Sequence, residues 1–220
     1  MNAITATADG SNTLFNPQIG ENYHSRHGAV QESRHVFIDA GLRYAMQTRP
    51  SVHILEIGFG TGLNFLLSAA EAADRNCELT YTALETHPLA IELIDRLEYH
   101  SFVPDDLWSS FSTHYHEAFT QQMNISGGCR LRLIQTAIQD FSPLEQYDVV
   151  YYDAFSARHQ PEMWTDAVIR KTADFLKPGG IFVTYAITGD LKRTLKSAGF
   201  NIEKLPGAPG KREMLRAIKR

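Results

Sequence analysis

Glu56-Ile57-Gly58-Phe59-Gly60-Thr61-Gly62 sets three glycines on alternate positions behind a carboxylate, where a strand pattern gives way to a helical one. Glycines at such a junction let the backbone turn tightly and approach a ligand closely. A dinucleotide-binding loop would read G-x-G-x-x-G, with a helix N-terminus against a pyrophosphate. This loop reads E-x-G-x-G-x-G, which favours a cofactor without phosphates, S-adenosylmethionine. Its methionine and ribose portions would face the loop amides, and Glu56 is placed to favour its cationic end. Twenty-three residues after Gly62, Glu85 closes the next strand, where a carboxylate can accept both ribose hydroxyls.

Tyr151-Tyr152-Asp153-Ala154-Phe155-Ser156 ends a later strand, and ligands of open α/β sheets lie beyond the carboxyl ends of the strands. Asp153 is therefore the candidate catalytic residue. An amine attacking a sulfonium methyl must lose a proton and aim its lone pair along the sulfur–methyl axis, and a carboxylate can orient the N–H and take up the proton. The competing reading makes Asp153 a cap for the helix starting near Pro161-Glu162-Met163-Trp164, eight residues on. Phe155, Tyr152 and Trp164 are flat enough to stack on an extruded base, or are simply core aromatics. Of nine histidines, His114 and His116 come nearest to ligand spacing but lack a third partner, so no metal is expected. No G-x-S-x-G or P-loop lysine motif is present, which removes hydrolase and NTPase readings.

The elements that must hold these residues follow from periodicity. Val52 to Ile57, Leu79 to Leu84, Leu131 to Ile134, Tyr147 to Tyr152 and Ile181 to Tyr185 read as buried strands. Helical spacing covers Leu63 to Ala73, Pro88 to Tyr99, Pro161 to Leu176 and Asp190 to Ala198, and an amphipathic stretch from Gln31 to Met46 precedes the first strand and would cover the mouth of the site. Phe200 to Leu205 and Met214 to Ile218, joined through Pro206-Gly207-Ala208-Pro209-Gly210, form a late antiparallel hairpin. The expected fold is α/β and Rossmann-like: a mainly parallel seven-stranded sheet with a C-terminal antiparallel hairpin, as in class I methyltransferases.

Composition bounds the rest. The 220 residues suit one domain, and 43% hydrophobic with 21% charged residues is an ordinary globular balance. Residues 1–22, small and polar from Met1 to Ser11, are expected to be a flexible tail, residues 23–220 the domain, and residues 99–128 a helical insertion. No apolar run approaches the roughly 20 residues of a membrane span, and no signal peptide is evident, so a cytoplasmic location is expected. Cys77 and Cys129 alone cannot form a disulfide framework, and the sequon Asn124-Ile125-Ser126 carries no meaning in that compartment. Net charge is −4, yet Gly207 to Arg220 carries a local +4, a basic edge or a solvated run.

Four stretches closely resemble the methyltransferase domain of MnmC-type tRNA-modifying enzymes, including its stand-alone relatives. They are Gln31 to Phe37 (QESRHVF), Gly58 to Phe65 (GFGTGLNF), Tyr147 to Trp164 (YDVVYYDAFSARHQPEMW) and Gly210 to Leu215 (GKREML). The resemblance runs from about Tyr23 to the C-terminus. It implies methylation of a 5-aminomethyl group on the tRNA wobble uridine, often 2-thiolated, with S-adenosylmethionine as donor and no metal. Carried over by position, it implies that Glu32, Gly58, Gly60, Gly62, Asn64 and Glu85 line the cofactor. It places Asp153, Phe155 and Pro161 to Trp164 at the acceptor, and Lys211 and Arg212 near RNA phosphate.

Two departures qualify it. Where many relatives carry Gly-Asp after the third strand, this chain has Thr136-Ala137, so adenine must be held by backbone or by Gln139 or Asp140. The bifunctional relatives also carry an oxidase that frees the amine, for which this chain has no room, so an upstream tRNA-modifying enzyme is expected to supply it. The alternatives are a methyltransferase of a small-molecule amine, an aminopropyltransferase-like enzyme, and a non-catalytic binding module. Aminopropyltransferases usually carry G-G-G-D-G, and the Asp is absent here.

Overall fold

A computed structural model describes residues 2–220. The centre is one sheet of eight strands: β4 (Ser51–Ile57), β5 (Glu78–Glu85), β6 (Met123–Ser126), β7 (Cys129–Gln135), β8 (Tyr147–Tyr152), β9 (Leu176–Thr184), β10 (Phe200–Pro206) and β11 (Glu213–Lys219). Their spatial order is β10-β11-β9-β8-β4-β5-β7-β6. The five strands from β9 to β7 pair in parallel, while β11, β10 and β6 are antiparallel to their neighbours. The expected fold class holds, with β6 as an additional edge. That strand comes from within residues 99–128, which are helical in Tyr99–Phe102, Asp105–His114 and Glu117–Phe119 but end as sheet.

β8 is buried at every position because helices cover both faces of the sheet, and its apolar run Val149 to Tyr152 is what a doubly covered parallel strand requires, while buried Asp148 near its start is paired with Arg49 and Lys177. Val149 and Tyr151 face one core with the helices α3 (Leu63–Asp74) and α5 (Asp105–His114); Val150 and Tyr152 face the other with α6 (Asp166–Asp174) and α7 (Gly189–Ser197). Both cores meet at β4 and β8, whose carboxyl ends therefore sit on the most constrained part of the sheet. Among the described residues no helix is long and apolar enough to cross a membrane.

The segment expected to be a flexible tail is structured from Asn2 onward; Met1 lies outside the described residues. β1 (Ala3–Ala6), β2 (Asn12–Asn16) and β3 (Glu21–Asn22) form a small antiparallel sheet, with Leu14 completely buried in the main core. Turn chemistry makes it: the Asn16 carboxamide oxygen accepts from the Gln18 and Ile19 N–H groups. The same sheet caps the next helix, a continuous run over residues 29–46 comprising α1 (Ala29–Ser33), a π-helical stretch Arg34–Leu42 and α2 (Arg43–Met46). Gly28 at its N-terminus has no side chain, so Ser11 Oγ accepts from Ala29 and Val30 N–H and Asp9 accepts from Gln31 N–H.

Candidate active site

A cavity of about 650 Å³ opens at the carboxyl ends of β4, β5, β7 and β8. Its floor is the β4–α3 loop. Gly58 has φ +90°, and a Cβ there would stand 2.7 Å from the Asp153 carbonyl oxygen, so the close approach of β4 and β8 requires glycine. Gly60, at φ +55°, lies where a Cβ would strike the Tyr23 ring at 2.9 Å. Gly62 is the N-cap of α3 and stands outside the cavity wall, its space taken by the Phe59 and Phe111 rings.

Glu85, at the end of β5, reaches the wall with both oxygens oriented by backbone: Gly60 N–H and His87 N–H each donate at 2.9 Å. Each oxygen keeps a lone-pair direction for a further donor. Thr136, Ala137, Ile138 and Gln139 continue the wall beyond β7; Asp140 does not reach it.

Asp153 lies half-buried at the end of β8 on the floor of the cavity. Its Oδ2 accepts from Asn64 Nδ2 at 2.8 Å. Burial raises its carboxyl to about 7, the Glu32 carboxylate adds to this, and the Asn64 hydrogen bond and Lys211 charge draw it down. It caps no helix: the N-cap of α6 is Thr165, whose hydroxyl accepts from Val168 N–H. At neutral pH this carboxyl is a stronger base than an ordinary aspartate, and it faces the place where ligands of this architecture sit.

Several expected site residues stand elsewhere. Glu56 is fully buried beneath the wall, because strand alternation turns it with Ile54 toward the core under α3 while Leu55 and Ile57 face the other side. It lines no part of the cavity. Burial and the adjacent Asp153 carboxylate hold it well above the usual carboxylate range. Tyr152 is buried and stacked on Phe182, and Trp164 stands behind the wall, its indole N–H donating to the Phe155 carbonyl at 2.7 Å. Pro161 is exposed, and Gln160, Glu162 and Met163 line the cavity in place of Pro161 and Trp164.

Lys211 points inward: its Nζ meets Glu32 Oε1 at 2.7 Å and lies 3.7 Å from the centre of the Tyr185 ring. Arg212 is exposed and outside the wall. Glu32, Asn64 and Phe155 do line the cavity, the last edge-on to Tyr23 with ring centres 5.0 Å apart.

What sequence reasoning missed is the roof. Asn16, Ile19, Glu21, Tyr23, His24 and Arg26 all line the cavity. Glu21 accepts from Ser156 N–H at 2.9 Å, and His159 Nδ1 bonds the Ile19 carbonyl at 2.8 Å, tying the roof to the loop after Asp153. His24 is pushed down to about 4 by burial, which outweighs the upward pull of Glu32 and Asp9, so it is neutral at pH 7. The available signal is the β-prone run Thr13-Leu14-Phe15 followed by the turn residues Asn16, Pro17 and Gly20. Carboxylates of Glu21, Glu32, Glu85, Asp153 and Glu162 outnumber Arg26 and Lys211 in the wall, a balance that suits a cationic ligand.

A family model described as S-adenosyl-L-methionine-dependent methyltransferase matches residues 103–220. Among curated proteins, the tRNA 5-methylaminomethyl-2-thiouridine biosynthesis bifunctional protein MnmC of Aromatoleum aromaticum is 32% identical over 228 residues, covering 97% of this chain and 34% of that protein. The protein of the same name from Cupriavidus metallidurans is 32% identical over 213 residues, covering 92% of this chain and 32% of its own length. The chain thus spans about a third of the length of the curated relatives it matches. Among solved structures, MnmC2 from Aquifex aeolicus superposes with a TM-score of 0.77 at 24% identity, over 99% of this chain and 70% of that one. Magnesium protoporphyrin IX methyltransferase from Synechocystis, with bound SAM, gives 0.54 at 14% identity over 87% of this chain and 81% of that one. Both report a shared fold.

Proposed function

This chain belongs to the S-adenosyl-L-methionine-dependent methyltransferase family, and from that premise we propose that it methylates the amine of a 5-aminomethyl group on the wobble uridine of tRNA, 2-thiolated or not. The substrate follows from the relatives' role in tRNA 5-methylaminomethyl-2-thiouridine biosynthesis, as their name gives it. The observation that carries the chemistry is the Asp153 carboxyl at the floor of an acid-lined cavity, beyond the end of β8 and held by Asn64 at 2.8 Å.

The residues present fit the cofactor. Gly58 and Gly60 line the cavity with bare backbone, Glu85 keeps acceptor capacity for ribose hydroxyls, and the excess of wall carboxylates matches a sulfonium. Of the lining residues, Thr136 to Gln139 would hold its adenine end, and Glu32 and Asn64 its methionine end. When bound, S-adenosyl-L-methionine supplies a methyl group already activated by the positive charge on sulfur. The protein's own share is then positioning and proton handling. Asp153 accepts the amine proton and fixes the direction of the lone pair, Phe155 and Tyr23 flank the flat base, and Glu21 and Glu162 favour the cationic amine before it is deprotonated.

Reaching the cavity requires the wobble base to leave the anticodon stack. An upstream enzyme that installs the aminomethyl group on tRNA is the implied partner, and a cytoplasmic location goes with a tRNA substrate. The test is to incubate the protein, and an Asp153→Ala variant, with labelled S-adenosyl-L-methionine and tRNA carrying 5-aminomethyluridine, digest to nucleosides and weigh them. Label in 5-methylaminomethyluridine, lost in the variant, is expected. No label in any nucleoside, with the cofactor still bound, would transfer the proposal to a small-molecule amine.

A further inference from the structure

Asn64, in the first turn of α3, is 4% exposed and bridges two carboxyls. Its Nδ2 donates to Glu56 Oε1 and to Asp153 Oδ2, each at 2.8 Å. Its Oδ1 accepts from the Ser33 hydroxyl of α1. The amide can serve both acids only in this orientation, since the flipped one would set its oxygen against two carboxyl oxygens. Ser33 therefore holds the amide in its donating sense.

Two carboxyls that share one donor and have no buried cation between them do not both ionise. The burial is unequal. Glu56 is wholly enclosed, and its Oε2 has beside it only the neutral Tyr81 hydroxyl, outside good hydrogen-bond geometry. A bare carboxylate oxygen there would carry its full desolvation penalty, whereas a protonated one does not. Asp153 faces the cavity. The other titratable groups facing it are Glu32 of α1, paired with Lys211 from the β10–β11 turn, the Tyr185 hydroxyl after β9, and Tyr81 of β5 beside Glu56.

We propose that Asn64 is a positioning residue that divides the proton between these two acids, leaving it on Glu56 and keeping Asp153 ionised and able to accept the proton of the incoming amine. This rests on Asp153 as the proton acceptor of the proposed reaction. It reassigns Glu56 from a cofactor contact to a proton-holding acid beneath the floor. Ser33 belongs to the same device, since without it nothing fixes which end of the amide faces the acids.

The test is a titration of Asp153 by carbon NMR of cofactor-free protein labelled at aspartate carboxyls, with the signal assigned from Asp153→Asn, alongside the pH profile of methyl transfer. Asn64→Ala removes a hydrogen bond to a charged group. Its midpoint and the acid limb of its rate profile are expected to move up together by about one to two pH units, with rate recovering at high pH. Ser33→Ala, which touches neither acid, is expected to shift both the same way by less. A rate lowered at every pH with an unmoved midpoint would overturn the proposal, because packing alone behaves so. If Asn64→Ala does not fold, Ser33→Ala carries the same two outcomes. If the wild-type protein methylates no amine, the reading of the acceptor fails, yet the carboxyl titration still decides this one.

Discussion

The floor and the roof of the cavity are built in opposite ways. The floor is laid by the sheet: Gly58 to Asn64 lead from β4 into α3, Glu85 ends β5 and Asp153 directly follows β8, both strands being neighbours of β4. The roof is assembled from parts remote in sequence, with Glu21 on Ser156, Ile19 on His159, and Lys211 on Glu32. The comparison teaches that the cofactor half of such a site is set by the sheet, whereas the acceptor half depends on terminal segments that the sheet does not specify.

Removing residues 1–22 is the most severe way to break this division. Were they a tail, nothing would change. Instead the deletion takes away buried Leu14, the Ser11 and Asp9 caps of the helix over 29–46, and Glu21 of the roof. A buried leucine is worth about 2–5 kcal/mol and a cap about 1 kcal/mol, which for a chain of this size lowers Tm by on the order of 10 °C. Methyl transfer is expected to fall below detection. Thermal unfolding and the tRNA assay on the truncated protein check both.

The same contrast explains what was legible. The β4 loop and Glu85 are legible because strand, glycine and acid fall in order within one unit, Asp153 because it directly follows the apolar end of a later strand, and the sheet class follows from alternation. The inward turn of Glu56 is not legible from its type, because strand parity decides which way a side chain points. Trp164 and Pro161 stand off the cavity wall for a related reason: the short turn Pro161–Trp164 presents Met163 to the cavity, and the Trp164 indole donates to a carbonyl. The inward aim of Lys211 was not readable at all, since its partners Glu32 and Tyr185 come from other elements.

Within the floor, Asp153→Asn is the next largest effect. Loss of a positioned base commonly costs about 10²–10⁴ in rate. The wild-type rate should rise as Asp153 loses its proton near pH 7, and that limb should vanish in the variant. Stability should move the other way. A carboxyl raised in the folded state contributes full stability below its unfolded pKa and loses it as pH rises through about 7, so the asparagine variant should gain Tm at pH 8 and little at pH 4. Equal Tm differences at both values would contradict the raised carboxyl.

Glu56→Gln separates the buried layer from the ligand-facing one. Glu56 stands well above the usual range through burial and the Asp153 charge, so the folded chain keeps a proton that the unfolded chain releases as pH rises above the ordinary glutamate value. That linkage costs stability at neutral and higher pH, and the neutral amide removes it. A Tm gain of on the order of 2–5 °C at pH 8, shrinking toward pH 4, is expected by scanning calorimetry. A Tm that fell at pH 8 would mean that folding lowers the Glu56 carboxyl instead of raising it.

The finest division lies between two adjacent residues of the β10–β11 turn. Lys211 is committed to Glu32 and the Tyr185 ring, while Arg212 is exposed and has no ion-pair partner among the described residues. If the roof ends between them, the inner side chain serves the acceptor pocket and the outer one meets RNA phosphate. Arg212→Ala should then weaken tRNA binding a few-fold and reduce the slope of log affinity against log salt by about 1, with the saturated rate unchanged. Lys211→Met should leave that slope alone and lower the saturated rate, because Glu32 loses its partner and the upward pull on Asp153 grows. Filter binding across a salt series, paired with single-turnover rates, reads both. A salt slope that responded to Lys211 and not to Arg212 would place the RNA on the inner side of the turn and erase the boundary.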